Sequence, residues 1–147
     1  MEKKKAIVKR SYFDYKNAIT ILKEKGLFTE LEEILNDLTE IDHRKIQQAF
    51  SDKGWETEKK ILLGTGWAWD AYKDRVIVSV EFSLIDAVHR DFFRLLMWHH
   101  DDKVDAVIYI TTTSKEPKYN NVRRDIEICY TDYPHLMPVP ILLIGLG

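Results

Sequence analysis

Apolar residues in the first third of the chain recur with helical spacing. Ile19, Leu22, Leu27, Leu31, Ile34, Leu35 and Leu38 follow one another at threes, fours and fives, with charged residues between them. Gly26 interrupts the run, and Thr29 with Glu32 three places later predicts a capping box for a second helix. Asp42 predicts the cap of a third helix, in which Ile46, Ala49 and Phe50 share a face and which Gly54 ends.

The period then shortens to two. ILLG (61–64), WAWDAY (67–72) and RVIVSVEF (75–82) read as strands, with Lys73-Asp74 as a hairpin joint. In the last of them Val76, Val78, Val80 and Phe82 lie on one face, and Ile77, Ser79 and Glu81 on the other. Residues 83–100 return to helical spacing, with a stripe of Leu84, Val88, Phe92, Leu95 and His99 opposite Asp86, Arg90 and Arg94. VDAVIYITT (104–112) is a strand, joined to its predecessor by that helix in a right-handed crossover. A polar stretch, a shorter helix through Cys129 and an apolar strand at 138–146 complete the chain. The order ααα–βββ–α–β–α–β predicts an α/β fold, a mixed sheet with helices on both faces.

Composition narrows the class. With 147 residues, 45% of them hydrophobic, the chain is long enough for one core, and a single domain over 1–147 is expected. Its first part, 1–54, reads as helical and 55–147 as the core. No apolar run approaches the roughly 20 residues of a membrane span. The basic start has no apolar signal segment behind it, and the lone Cys129 excludes a disulfide framework. A soluble, cytoplasmic protein with no membrane partner is expected. A net charge of -2 advertises no bulk basic surface, so a nucleic-acid binder would need its basic residues gathered on one face.

Two acidic residues stand out among apolar strands. With an even hairpin loop whose paired positions sum to 147, Asp70 lies opposite Ile77, on the face of Ser79 and Glu81. Diagonal neighbours on such a pair are about 7–8 Å apart, a span that a divalent metal and its waters bridge. Unpaired carboxylates are costly to bury, and coordinating Mg²⁺ is one reason to place them there. The alternative is a solvated sheet face, or pairing with Lys73 and Arg75.

Specific motifs add to this reading. LGT stands at 63–65, an Asp follows, and V-x-F-S occupies 80–83. A long helix, the strand VIYIT (107–111) and V-P-I-x-L-x-G-L at 139–146 come next. From residue 62 onward the chain resembles type II restriction endonucleases of the BglII/BamHI group, in the PD-(D/E)xK nuclease superfamily. The resemblance implies an αβββαβ core and a Mg²⁺-dependent endonuclease acting on double-stranded DNA as a homodimer, with Mn²⁺ as a substitute ion. It also implies that Asp70 holds the metal and that Glu81 occupies the last motif position. Ser79 stands where relatives carry an acidic residue, which is a departure. Glu81 would then serve as the second carboxylate, with the Val80 carbonyl as a further ligand, Ser79 positioning a water and Glu58 supporting. Relatives in the family continue beyond the last strand, so a minimal form or a fragment is implied.

Other features divide between function and structure. His99-His100-Asp101-Asp102 reads as a helix end rather than a metal site, and His43 and His89 read as isolated. Gly64-Thr65-Gly66 is a bend, because neither a helix nor a Lys follows it. Trp55, Trp67, Trp69 and Trp98 read as core. Basic groups cluster at Lys3-Lys4-Lys5, Lys9-Arg10, Lys59-Lys60, Lys115/Lys118 and Arg123-Arg124. For a nuclease, Lys115, Lys118, Asn120, Asn121, Arg123 and Arg124 are the expected DNA contacts. Arg90 and Arg94 pair with Asp86 or Asp91, or line a dimer contact. Two rivals remain open: a catalytically silent DNA-binding or interaction module on the same fold, and an oligomeric scaffold with no DNA role.

Overall fold

In the computed structural model the described residues are 8–83, 85–113 and 118–147, the side chain of Lys118 excepted. The chain opens with a strand, β1 (Arg10–Tyr15), followed by helices α1 (Ala18–Glu24), α2 (Leu27–Asn36) and α3 (His43–Asp52). Strands β2 (Glu56–Lys60), β3 (Ala68–Lys73) and β4 (Val76–Val80) come next. Then follow α4 (Ile85–His100), β5 (Ala106–Thr112), α5 (Lys118–Ile126) with a π-helical turn (Glu127–Thr131), and β6 (Ile141–Leu146). The six strands form one sheet in the order β1-β6-β5-β4-β3-β2. Its centre, β4-β5-β6, is parallel, and β1, β3 and β2 add antiparallel strands at the two sides.

The helices cover both faces, as the α/β pattern predicts. The α1–α3 side packs Leu22, Leu31, Ile34, Leu35 and Ile46 onto Val76, Val78, Ile108, Ile110, Leu142 and Ile144. The α4–α5 side packs Val88, Phe92, Leu95, Trp98 and Val122 onto Ile77, Val107, Tyr109, Ile141 and Leu143. The central strands are thus buried on both faces, which is why they read as near-continuous Val and Ile runs. Trp55, Trp69 and Trp98 are core residues, and Trp67 is partly buried with the Arg94 guanidinium 4.1 Å above its ring.

Several expectations are corrected. The N-terminal part is not purely helical, because β1 pairs antiparallel with β6 from Arg10 opposite Leu146 to Tyr15 opposite Ile141. The second helix starts at Leu27 after a left-handed Gly26, so Thr29 lies inside it. Glu32, freed from capping, instead accepts bonds from Arg10 Nη2 at 2.6 Å and from the Tyr12 hydroxyl at 3.2 Å, tying α2 to β1. Asp42 does cap α3, accepting from Lys45 N–H at 2.9 Å, and Gly54 closes that helix at φ 86°.

The segment ILLG is a turn, not a strand. Its hydrophobicity misleads: Leu62 is exposed and Leu63 more so, at 88%, while the strand is the polar ETEKK just before. The hairpin turns on Asp74 and Arg75, at φ 47° and 64°, rather than on Lys73-Asp74. Two successive positive φ values suit the twist of a tight hairpin. Pairs therefore sum to 149, a shift of two that preserves parity. In α4, His99 is exposed and Trp98 and Asp91 are buried; Leu84 lies outside the described residues, as does the Lys3-Lys4-Lys5 cluster.

Candidate functional site

The β3–β4 ladder runs from the Asp74-Arg75 turn only as far as Ala71 opposite Val78. Beyond that point the Asp70 carboxylate takes the place of a backbone acceptor, its Oδ2 receiving the Val80 N–H at 2.7 Å. Side-chain alternation breaks here as well. Trp69 is buried on the α4 side, yet Ala71 is buried on the α1–α3 side. On the neighbouring strand Glu58 would face Asp70, but its backbone is left-handed (φ 52°) and the β2–β3 pairing skips it. Such backbone costs about 1–3 kcal/mol and concentrates at functional positions.

Helix α3 grips Asp70 from the other direction. His43 Nε2 stands 2.8 Å from Asp70 Oδ1, and Gln47 Nε2 donates to the Asp70 carbonyl at 3.1 Å. The two residues are one turn apart on the same helix face, and the Asp42 cap fixes the turn that carries His43. A cavity of about 310 Å³ opens at this point, lined by His43, Gln47, Glu58, Lys60 and Asp70 among others. Glu81 follows directly on β4. Its Oε1 accepts from the Ser83 N–H at 2.8 Å and from the Ser83 hydroxyl.

Burial pushes the Asp70 carboxyl above its ordinary range. The Val80 N–H and His43 oppose that rise, and the negative charge of Glu81 adds to it. Behind the site a second polar group is buried. Ser79 lies beside Tyr109 in the β4–β5 register, and the Tyr109 hydroxyl donates to Asp91 Oδ2 at 2.8 Å. Burial raises Asp91, against the hydrogen bond from Tyr109, and raises Tyr109 well above its usual value.

Asp70 therefore reaches β4 at Val80, the residue between Ser79 and Glu81 in the chain, and Glu58 shares a cavity with Asp70. The expected DNA contacts lie elsewhere. Asn120, Asn121, Arg123 and Arg124 are on α5, where Arg123 bonds Glu127 at 2.9 Å and rests over the Phe13 ring of β1. Since β1 and β3 are four places apart in the sheet, Arg123 is remote from Asp70. Lys115 and the Lys118 side chain lie outside the described residues. Arg124 lies 3.6 Å from its neighbour Asp125. Neither histidine read as isolated is so, because His89 Nε2 lies 2.9 Å from Asp125 Oδ2. Sequence reasoning missed His43, Gln47, Lys60, Asp91 and Tyr109. The one signal for the first two was their i, i+4 spacing just after the Asp42 cap.

The family model for restriction endonuclease BglII/BglIII matches residues 10–146. The chain belongs to that family. The match begins at β1 and so includes the strand that periodicity did not reveal. Among solved structures, a crystal structure of restriction endonuclease BglII complexed with a DNA 16-mer is similar, with a TM-score of 0.79 and 20% identity. The match covers 95% of this chain and 78% of that one, and it bears out the α/β restriction-endonuclease fold. A search of curated proteins finds no match. Among the described residues of this BglII/BglIII-family chain, no group of three or more His, Cys, Asp and Glu is gathered to hold a metal ion, and no helix is long and apolar enough to cross a membrane.

Proposed function

We propose that this BglII/BglIII-family chain is a Mg²⁺-dependent endonuclease that hydrolyses phosphodiester bonds of double-stranded DNA, on the PD-(D/E)xK arrangement shared with the BamHI group. The observation that carries the reading is the placement of Asp70 at the parting of β3 and β4, held by the Val80 N–H and His43, with Glu81 near enough to raise its pKa. DNA as partner is further supported by the DNA-bound BglII structure that shares the fold.

The donor chemistry fits magnesium. Mg²⁺ keeps several waters and needs only one or two carboxylates, so a full protein cage is not required. Asp70 and Glu81 would hold the ion, with the Val80 carbonyl as a further ligand. When bound, it supplies positive charge at the phosphate and lowers the pKa of a bound water. The chain's own residues do the rest. His43 and Gln47 fix the Asp70 carboxylate and carbonyl, which matters because an error of about 1 Å in a reacting group costs roughly a hundredfold in rate. Ser79 positions a water, and Glu58 supports the cavity from β2. Lys60, lining the same cavity, offers a cation to a phosphate oxygen. On this reading Asn120, Asn121 and Arg124 contact DNA away from the cleavage point, together with Lys115 and Lys118. Two strands require two active sites, so the protein acts as a C2 homodimer of single domains spanning 1–147.

Ser79 favours one rival, a catalytically silent DNA-binding module, because its hydroxyl is a poor replacement for a metal-binding carboxylate. Incubation of supercoiled plasmid with Mg²⁺ or Mn²⁺ separates the two. Linear product that disappears with Asp70→Asn supports the nuclease; a salt-sensitive gel shift without any nicking supports the silent module.

A further inference from the structure

The acidic residue expected at Ser79 is missing, yet the structure buries another carboxylate behind that strand. Asp91 projects from α4 with only 7% of its surface exposed, the one acidic residue buried to that degree among the described residues. A buried carboxylate needs several donors. Asp91 has one good one, the Tyr109 hydroxyl at 2.8 Å, and an arginine, Arg90, only at 3.8 Å. Arg94, the next basic group on the helix, stacks on the Trp67 ring and acts on Asp91 through its charge alone.

The location is specific. Tyr109 is the register partner of Ser79 on β5, so the Asp91–Tyr109 pair stands directly behind the departing motif position. Tyr109 feels the negative charge of Asp91, Glu81 and Asp70 together, and Asp91 itself feels Glu81. Of these carboxylates Asp91 alone contacts the phenol, at 2.8 Å. The cationic groups that oppose this charge are His43, at 2.8 Å from Asp70, and on α4 Arg90, at 3.8 Å from Asp91, with Arg94 acting on Asp91 through its charge.

We propose that Asp91, oriented by Tyr109, is a positioning residue of the cation site: from the helix behind β4 it supplies the negative charge that Ser79 cannot. This inference rests on the nuclease reading above. A hydrated divalent ion is held by carboxylates beyond its direct ligands, through its waters, so the charge can come from a helix rather than from the strand itself.

The test is a calorimetric titration of the full chain with Mn²⁺, without DNA. Wild type binds, and Asp70→Asn loses binding. Asp91→Asn keeps an oxygen for the Tyr109 hydroxyl, so the fold persists by circular dichroism while Mn²⁺ affinity falls tenfold or more. Adding Ser79→Asp to Asp91→Asn restores affinity to within threefold of wild type, a rescue that a purely structural role for Asp91 would not give. Affinity within twofold of wild type in Asp91→Asn, with Asp70→Asn inactive in binding, overturns the role of Asp91 alone. Equal or absent binding in wild type and Asp70→Asn overturns the cation site itself, and the inference with it. If Asp91→Asn does not fold, Ser79→Asp alone decides. A gain below threefold supports Asp91 as the existing source of charge, and a gain of tenfold or more shows the position vacant and overturns the proposal.

Discussion

The two faces of the sheet are built from different materials. Beneath α1–α3 the buried core is largely aliphatic, with Leu, Ile and Val from helices and strands and, among the described residues, only Phe50 and Trp55 as buried aromatics, while Tyr12, Phe28 and Phe82 pack at its margin. Beneath α4 and α5 it holds Tyr15, Tyr109, Tyr119, Tyr130, Trp69 and Trp98, several of whose polar tips are hydrogen-bonded inside the protein. Tyr15 donates to the Met137 carbonyl at 2.9 Å, Trp98 to Ile61 at 3.0 Å and Tyr109 to Asp91 at 2.8 Å. An aliphatic layer stabilises through area and packing alone. An aromatic layer with polar tips also fixes positions, because each hydroxyl satisfied in one place is costly anywhere else. The buried acid and Ser79 belong to the second face, whereas the first face reaches Asp70 through His43 and Gln47 of α3 and is otherwise aliphatic packing.

The largest expected effect is on activity. Asp70→Asn should lower plasmid nicking by about a hundredfold to a thousandfold, the scale on which loss of one group stabilising transition-state charge acts. Its effect on stability should run the other way. Burial raises the Asp70 pKa in the fold, so the ionised carboxylate penalises folding at pH above that raised value. The Asn variant should therefore show the higher Tm at neutral pH. The advantage should fade as pH falls through the folded pKa towards 3.8, where the carboxyl is protonated in both states. A lower Tm for the variant at pH 7 would contradict this account.

On the aliphatic face, Leu31→Ala should cost about 2–5 kcal/mol in urea unfolding, since Leu31 is fully buried. Nicking per folded molecule should be preserved, and a parallel loss of both would erase the distinction between the faces. On the aromatic face, Gly145→Ala should cost about 1–3 kcal/mol, because an added Cβ would meet the Tyr119 ring and the Thr113 methyl, each at 2.7 Å. Pairing it with Tyr119→Ala should recover part of that loss by removing the obstacle. The smallest effect is expected at Asp42→Ala, about 1 kcal/mol from loss of the α3 cap. If α3 aligns the site, this variant should also weaken nicking severalfold through His43 and Gln47, more than its stability loss explains.

What the sequence disclosed followed from burial. β4, β5 and β6 are covered on both faces and announced themselves as Val and Ile runs, and α2–α4 carried clear helical stripes. β1 and β2 were illegible for the opposite reason. They are edge strands, partly exposed, and RSYFDY and ETEKK hold no aliphatic alternation to read. At the site, a shift of two in the pairing leaves the faces of β4 unchanged, but the break in alternation at Asp70 was not legible. His43 and Asp91 were hidden because each meets its partner across a long stretch of chain: His43 finds Asp70 from a different element, and Asp91 finds Tyr109 from a helix to a strand. Only spatial packing, not local spacing, reveals such pairs.

The pairing of β1 with β6 also sets a clock for the chain. Arg10 meets Leu146, so this edge forms only after almost the whole sequence is available, whereas the β2–β3–β4 meander closes through short connections. Long-range pairings enter late because loop closure must precede their reward. By the same rule the residues that frame Asp70 are expected to assemble during synthesis before the first strand, at the far edge of the sheet, gains its neighbour.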